Sequence, residues 1–205
     1  YTAWTGTNQT GTQLKPWTAI FGNLNSSSYE TDWSVDFASL AQGYNYISVR
    51  CKDFATNLTA LTDAFYIKKD TVPPAQITNL AATTGANEGE VNLSWTAPSD
   101  PSPGSGSQSY IVKFATFTIT ESNFDTDPNV RTFGQSWTPL TPGTTESQVI
   151  TGLSQGRNYF IAIKTKDVAG NISILALSNQ VQAKPDTVAP FAITTLLAQQ
   201  GGFEG

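Results

Sequence analysis

The chain has 205 residues, of which 11 are basic and 16 acidic, so its net charge is −5. Only 13% of the residues are charged, against about 25% in an average soluble protein. The absence of His excludes a catalytic triad built on imidazole, and a single Cys excludes an intrachain disulfide and a Cys-based zinc site. An acidic chain with few cations is not expected to bind nucleic acid, and no apolar run reaches the length of about 18 residues that predicts a membrane span.

Short runs of alternating apolar and polar residues dominate the chain, and clusters of Gly, Pro, Asn and Ser separate them. No window keeps the i, i+3, i+4, i+7 spacing of an amphipathic helix, so the pattern predicts an all-β fold. Within residues 1–69, the runs 33–37 and 47–51 alternate in this way. The first is predicted as a core strand. The second predicts that Cys51 points into the core as a small buried residue.

The most regular runs predict four further strands, at 90–96, 109–115, 147–153 and 158–166. In the last of these, every second side chain from Tyr159 to Thr165 is predicted to face the core. The opposite face of the same strand becomes more polar towards Lys166 and is predicted to face solvent. Strands with one buried and one exposed face are typical of an antiparallel sandwich or barrel.

Internal repetition indicates the domain organisation. Residues 70–80 (DTVPPAQITNL) recur as residues 186–196 (DTVAPFAITTL), 116 positions later. Residues 40–57 match residues 153–171 with one gap, and this match pairs Tyr46 with Tyr159, Asp53 with Asp167 and Asn57 with Asn171. A period of about 115 residues is too long for a solenoid unit and suits whole β-domains in tandem.

The repeats divide the chain into four parts. Residues 75–185 are predicted to form one complete module, and residues 1–69 to hold the second half of an earlier module without its first strands. Residues 70–74 are a predicted linker, because Pro stiffens the chain and removes a ladder donor. Residues 186–205 combine a second linker with the first strand of a further module. Either the chain belongs to a longer array, or another molecule supplies the missing strands.

Six separated features of the complete module occur in an order that carries a family resemblance. They are Leu93-Ser-Trp95, Pro98 before a Ser/Gly/Pro loop, Tyr110-Ile-Val-Lys-Phe, Thr151-Gly-Leu153 with Arg157-Asn-Tyr159, Lys166-Asp-Val-Ala-Gly-Asn171, and Leu177-Ser-Asn179. Residues 75–185 thereby resemble a fibronectin type III domain of the kind found in bacterial extracellular proteins. The segment 116–147 is longer than the family pattern. Residues 1–69 resemble the back half of a bacterial Ig-like domain.

The resemblance implies tandem immunoglobulin-like and fibronectin type III β-sandwiches, with Trp95 in the core and Tyr159 as a corner tyrosine whose hydroxyl bonds nearby backbone. Modules of this kind space, present and bind rather than catalyse, so the chain is not expected to be an enzyme. A fold alone does not decide function. The expected location is the cell surface or the extracellular space.

A calcium site is the one metal site that the sequence suggests. In the resembled fold, the loop from Asp167 to Asn171 lies at the pole where the preceding linker arrives, which would bring Asp70 close to it and place Asp100 in the neighbouring loop. Calcium binds carboxylate, amide and carbonyl oxygens, which this set offers. The alternative is turn chemistry, in which Asp167 caps a tight hairpin and Gly170-Asn171 supply a positive φ. No other cofactor is expected.

Two acidic pairs could in principle supply the carboxylates of a glycosidase, namely Glu30 with Asp32 and Asp125 with Asp127. Strand alternation places each pair on a solvent face or in a loop, which favours a solvated, non-catalytic role.

Four tryptophans fall outside the recognisable core positions of the module, namely Trp4, Trp17, Trp33 and Trp137. Aromatic rings stack on sugars, so surface glycans are candidate partners. The alternative is that these residues pack in cores and interfaces.

These observations predict a non-catalytic extracellular module, a spacer or stalk of a large bacterial surface protein, with neighbouring repeats as its partners. One alternative is the subunit of a filament, in which the strand at 191–200 is donated to the incomplete module of another copy. Another alternative is an accessory, carbohydrate-binding or spacer module of a secreted hydrolase.

Overall fold

The computed structural model describes residues 1–20, 22, 32–101 and 106–197. Glu30 and residues 198–205 lie outside this part of the chain. Two single-turn 3-10 helices occur, at Thr7–Gln9 and Phe37–Ser39. The strands are β1 (Thr2–Trp4), β2 (Gln13–Lys15), β3 (Gly43–Lys52), β4 (Leu58–Lys69), β5 (Ala81–Thr84), β6 (Val91–Thr96), β7 (Ser107–Ala115), β8 (Arg131–Thr132), β9 (Thr145–Ile150), β10 (Asn158–Asp167), β11 (Ala176–Leu177) and β12 (Val181–Gln182).

These strands form three sheets in which all pairings are antiparallel. The first has the order β2-β1-β3-β4, the second β8-β7-β10-β11 with β12 also paired to β10, and the third β5-β6-β9. The predicted all-β fold is therefore confirmed. Among the described residues, no helix has the length and hydropathy required to cross a lipid bilayer.

The second and third sheets pack face to face as a β-sandwich. Its core contains Leu93 and Trp95 from β6, Val112 from β7, and Ile161 and Ile163 from β10, all of them buried. The Trp95 and Tyr110 rings meet edge to face, with centroids 5.3 Å apart. Alternation along the strands explains this arrangement, because residues two apart project from the same face and the apolar set enters the space between the sheets.

The strand β10 is buried on both faces, whereas the sequence predicted one solvent-facing side. The predicted inward residues, from Tyr159 to Thr165, are buried as expected. On the other face, Ala162 and Lys164 are also buried, because the segment 116–130 folds across this side of the sheet and packs Phe124 against it. The first half of the long segment 116–147 therefore serves as a cover for the outer face of the module.

The first sheet has a small core of Ala3, Leu40 and Ile47, against which Trp33 and Val35 pack. The predicted strand at 33–37 does not form: residues 32–36 are irregular, and an exposed Phe37 begins a 3-10 turn.

The prediction for Cys51 is wrong, since its side chain is exposed. The pairing of β3 with β4 shifts register between Ile47 and Val49. The residues that cover this face pack around Ile47, and the strand continues beyond them, so residues 50–52 are exposed.

The segment 186–197 forms no strand and is exposed throughout. Its sequence counterpart at the start of the sandwich is packed. Ile77 and Leu80 are 4% and 8% exposed, whereas the matching Ile193 and Leu196 are 83% and 86% exposed. The two segments do share one local feature: Asp70 Oδ1 accepts from Val72 N–H at 3.2 Å, and Asp186 Oδ1 accepts from Val188 N–H at 2.8 Å. The strand predicted at 191–200 stays a prediction.

Candidate functional site

The candidate site is built on a tight turn that closes β10. Asp167 is fully buried, and both of its carboxylate oxygens accept from one residue. The backbone N–H of Asn171 donates to Oδ1 and its side-chain amide donates to Oδ2, each at 2.8 Å. Asp167 N–H donates in return to the Asn171 carbonyl at 3.0 Å. Gly170 has a φ of 98°, a conformation that glycine adopts at little cost. This Asp-x-x-x-Asn arrangement is the Asp–Asn clasp of the sandwich.

The first sheet carries a second Asp–Asn clasp at the matched position. Asp53 accepts from the backbone N–H of Asn57 at 2.8 Å and from its side-chain amide at 2.7 Å. Thr56 occupies the positive-φ position at 72°. The side-chain amide of Asn57 is the first cause that holds the pKa of the Asp53 carboxyl below its ordinary value. The match between 40–57 and 153–171 thus extends to the hydrogen bonds of the turn.

The four residues predicted as calcium ligands come together at the clasp of the sandwich. One carboxylate oxygen from each of Asp70, Asp100 and Asp167 lies within 4.8 Å of the others. Asn171 is also present, and its side-chain amide donates to the backbone carbonyl of Asp70 at 3.3 Å. That contact joins residues 101 positions apart in sequence and ties the linker to the clasp. The predicted convergence of linker, loop and clasp is therefore present in the structure.

The Asp100 carboxylate is only partly paired. Its Oδ2 accepts from Gly106 N–H at 2.5 Å, whereas its Oδ1 is inaccessible to solvent and has no partner among the described residues. A buried carboxylate oxygen without a donor is costly, and a cation beside it would offset that cost. In contrast, each oxygen of the Asp167 carboxylate accepts one hydrogen bond within the turn, which leaves further acceptor capacity on both oxygens. Both interpretations of the loop have a structural basis: the clasp is a turn, and its neighbours bring further oxygens to it.

The acidic pair that can be assessed is engaged in local contacts. Asp125 forms a salt bridge with Lys113 at 2.7 Å, and Asp127 accepts from the backbone N–H of Asn129 at 2.8 Å. Glu30 lies outside the described residues, and its partner Asp32 is exposed.

The four candidate tryptophans are half-buried or engaged with neighbours. The ring centroid of Trp137 is 6.0 Å from that of Trp95, and the guanidinium carbon of Arg50 lies 4.1 Å above the Trp17 ring. Trp33 packs against the small core of the first sheet. The Trp4 indole N–H donates to Thr2 Oγ1 at 3.1 Å.

Sequence reasoning missed a different aromatic group, made of Tyr44, Tyr46 and Tyr66. These residues lie on the outer face of the first sheet, where Tyr46 pairs with Tyr66 in register. Tyr44 and Tyr66 are 48% and 60% exposed. Alternation alone could not distinguish them, because aromatic residues two apart on a strand are as compatible with a core face as with an outer face.

Sequence comparison finds relatives among polysaccharide-acting enzymes. The chain is 26% identical over 178 residues to Chitinase A1 of Niallia circulans, a match that covers 83% of this chain and 22% of the enzyme. It is 32% identical over 143 residues to Exoglucanase A of Cellulomonas fimi, covering 66% of this chain and 14% of that enzyme. The chain therefore spans less than a quarter of the length of either relative. No protein-family model matches the chain.

Structural comparison finds extracellular domains among the similar structures. The rat CD45 extracellular region, domains d3-d4, aligns with 86% of this chain and 85% of that structure at 12% identity, with a TM-score of 0.37.

Proposed function

We propose that this chain is a non-catalytic extracellular segment that spaces and orients the neighbouring domains of a larger secreted or surface protein. The observation that carries this proposal is the contact of Asn171 with both the buried Asp167 and the carbonyl of Asp70. A linker that bonds to the domain after it loses rotational freedom, and this loss is what a spacer requires.

Further contacts fix the first residues of the module, directly after the linker, to the rest of the sandwich. Ala75 N–H donates to the Ser99 carbonyl at 2.8 Å, and the side-chain amide of Gln76 donates to the Leu175 carbonyl at 2.5 Å. Pro74 is buried. The two prolines at 73 and 74 restrict the backbone between the first sheet and these contacts. The linker is thus held by Asn171 at its start and by the fixed first residues of the module at its end, and its two prolines restrict the backbone between them.

Calcium is proposed to complete this joint. Asp70, Asp100 and Asp167 supply carboxylate oxygens that converge within 4.8 Å. Calcium needs six to eight oxygen ligands, so backbone carbonyls and water would complete the shell. The role of the ion here is structural: it would neutralise the converging carboxylates and hold linker, loop and clasp together.

The test measures the stiffness of the joint. A spin label on the exposed Cys51 and a second on Ser147→Cys, on the outer face of β9, report the distance between the first sheet and the sandwich by pulsed electron paramagnetic resonance. We expect a narrow distance distribution that narrows further when calcium is added. Asp100→Asn is the matched control, and it should abolish the calcium effect while leaving the fold intact. A broad distance distribution that is changed neither by calcium nor by Asp100→Asn would contradict the proposal.

A second candidate is an accessory module of a secreted polysaccharide-degrading enzyme. The observation that favours it is the similarity to Chitinase A1 and Exoglucanase A, which are named for polysaccharide substrates. In that setting the catalytic centre lies in another domain, and this chain supplies spacing, attachment to the polysaccharide, or both. Retention of the purified chain on insoluble chitin or cellulose tests the attachment function, and its failure leaves spacing as the function.

Association with neighbouring repeats, or with other copies of the chain, is proposed for the segment 186–197. Its residues Ile193 and Leu196 are exposed, although their counterparts Ile77 and Leu80 are buried in the sandwich. Burial of such side chains releases about 1.5–3 kcal/mol each, which favours a partner that covers them. Light scattering on the chain and on a Phe191→Ser/Leu196→Ser variant tests this proposal. We expect the variant to lower the concentration-dependent increase in mass, and equal masses for both would contradict it.

A further inference from the structure

The outer face of the first sheet presents a continuous group of aromatic rings. Tyr44 and Tyr46 are two apart on β3, and their register partners on β4 are Lys68 and Tyr66. The ring centroids of Tyr44 and Tyr66 are 5.2 Å apart, and that of Tyr46 is 6.5 Å from each of them. Trp4 pairs with Tyr46 in register and extends the row onto β1. The three tyrosines with Lys68 are the tyrosine platform.

The tyrosine platform is not explained by the packing of the first sheet. The opposite face of β3 carries the buried Asn45 and Ile47 and forms the small core. In the sandwich, the equivalent outer face of β10 is covered by the segment 116–130. On the outer face of the first sheet, Thr2 and Ser48 are buried, but Tyr44 and Tyr66 remain about half exposed. Exposed groups of aromatic side chains on a soluble protein mark interaction sites.

The chemistry of the tyrosine platform fits a sugar ring. A pyranose has faces of C–H groups that stack on aromatic rings and a rim of hydroxyl groups that hydrogen-bond to polar side chains. Tyrosine offers both a π-face and a hydroxyl group. The planes of Tyr44 and Tyr46 differ by only 24°, so successive rings along β3 present similarly oriented surfaces. The Lys68 ammonium lies 5.7 Å from the Tyr44 centroid and adds a hydrogen-bond donor at the edge.

We propose that the tyrosine platform binds a neutral hexopyranose polysaccharide chain, with sugar rings stacked on the similarly oriented Tyr44 and Tyr46. The Tyr66 ring is inclined by 64° to Tyr44 and by 55° to Tyr46, so it would contact the rim of a bound sugar. This inference rests on the second candidate function, because it specifies the surface through which an accessory module attaches to its polysaccharide. The Lys68 ammonium can donate hydrogen bonds to the hydroxyl oxygens of a sugar. Several rings used together allow a long polymer to bind through individually weak stacking contacts.

The test uses the full chain with two soluble probes, chitohexaose and cellohexaose, in calorimetric and NMR titrations. We expect at least one probe to bind, with shift changes confined to β3 and β4. Tyr44→Ala/Tyr66→Ala should weaken binding at least about tenfold, whereas Tyr66→Phe should retain most of it. Phe54→Ala removes an exposed aromatic ring outside the platform and is the matched control, which should bind as the unmodified chain does. Circular dichroism verifies that each variant is folded.

Three results would overturn the proposal. They are no binding of either probe by the unmodified chain, unchanged binding by the double alanine variant, and shift changes that map to the sandwich. If the unmodified chain self-associates and the double alanine variant does not, the platform is a contact between protein copies, and the proposal of polysaccharide binding is overturned. None of these results bears on the spacer function, because the distance measurement at the joint decides that function independently.

Discussion

Asp53 accepts two hydrogen bonds from Asn57, one from its backbone and one from its side chain, at 2.8 and 2.7 Å. Both residues are exposed, yet the geometry is that of the buried Asp167 with the half-buried Asn171. The clasp is therefore produced by its own five residues and does not require burial. What the sandwich adds is the contact of Asn171 with the linker carbonyl of Asp70.

The substitution Asn171→Ala should therefore destabilise the sandwich more than Asn57→Ala destabilises the first sheet. Asn171→Ala removes a donor from a buried carboxylate and unties the linker, a loss of about 1–3 kcal/mol. Asn57→Ala removes one donor from the Asp53 carboxylate, which is exposed, so water can replace that donor. Hydrogen exchange of β10 and β3 measured by mass spectrometry separates the two effects. Equal increases in exchange in the two variants would show that burial and the linker contact add nothing.

The buried Glu146 gives a second prediction. Its Oε1 accepts from the hydroxyl of Tyr110 and from Leu140 N–H at 3.0 Å, and burial is the first cause that raises the pKa of Tyr110 well above its ordinary value. Tyr110→Phe leaves the carboxylate short of a donor and should cost about 1–3 kcal/mol in the free energy of unfolding. Tyr110→Phe/Glu146→Leu should recover part of that loss, because it also removes the buried charge. Urea denaturation of both variants measures the difference.

A third prediction concerns acidic pH. Lys164 bonds Glu121 at 2.7 Å, and this contact is the first cause that holds the pKa of the Glu121 carboxyl below 4.5. The native state therefore binds this proton less tightly than the unfolded state. The stabilisation is complete above the unfolded pKa and is lost as the pH falls through the lower native pKa.

The effect of this pair should be modest, at most about 1 kcal/mol, because Glu121 is half exposed. Thermal unfolding measured between pH 6 and pH 3, a range that spans the ordinary Glu titration at about pH 4.3, should show a smaller drop in Tm for Glu121→Gln than for the unmodified chain. Asp186→Asn, far from Lys164 in sequence, is the control. Parallel curves for Glu121→Gln and the unmodified chain would show that the pair has no part in the pH dependence.

The exposed Cys51 gives a fourth prediction. In the folded chain its thiol should react with Ellman's reagent as completely as it does in urea, because no packing shields it. Val49→Cys/Cys51→Ser supplies a half-buried comparison on the same strand and should react more slowly. If Cys51 reacts only after unfolding, its thiol is buried in the folded chain, as alternation predicted, and the exposed position is wrong.

The sequence predicted the features that depend on local pattern. Alternation located β6, β7 and β10 because an apolar period of two can be buried only by a strand. The resemblance placed Asp70 near Asp167 because, in the resembled fold, the loop that follows this strand lies at the pole where the preceding linker arrives. The burial of Lys164 was not predictable, since the segment 116–130 that covers it has no period of its own. Cys51 was misplaced for a related reason: alternation indicates which face a side chain occupies, but not how far the cover of that face extends.

The register shift in the first sheet has a consequence for aggregation. β4 lies at the edge of its sheet, and such an edge can pair with strands of other molecules. Asp63 interrupts it with a φ of 51°, while its N–H donates to Ser48 Oγ at 3.0 Å and its Oδ2 accepts from Asn8 N–H at 2.7 Å. This anchored bulge divides the edge into two short stretches. A straight foreign strand cannot pair along the whole of β4, so the chain can expose Leu58 and Leu61 without offering a continuous template for amyloid-like growth.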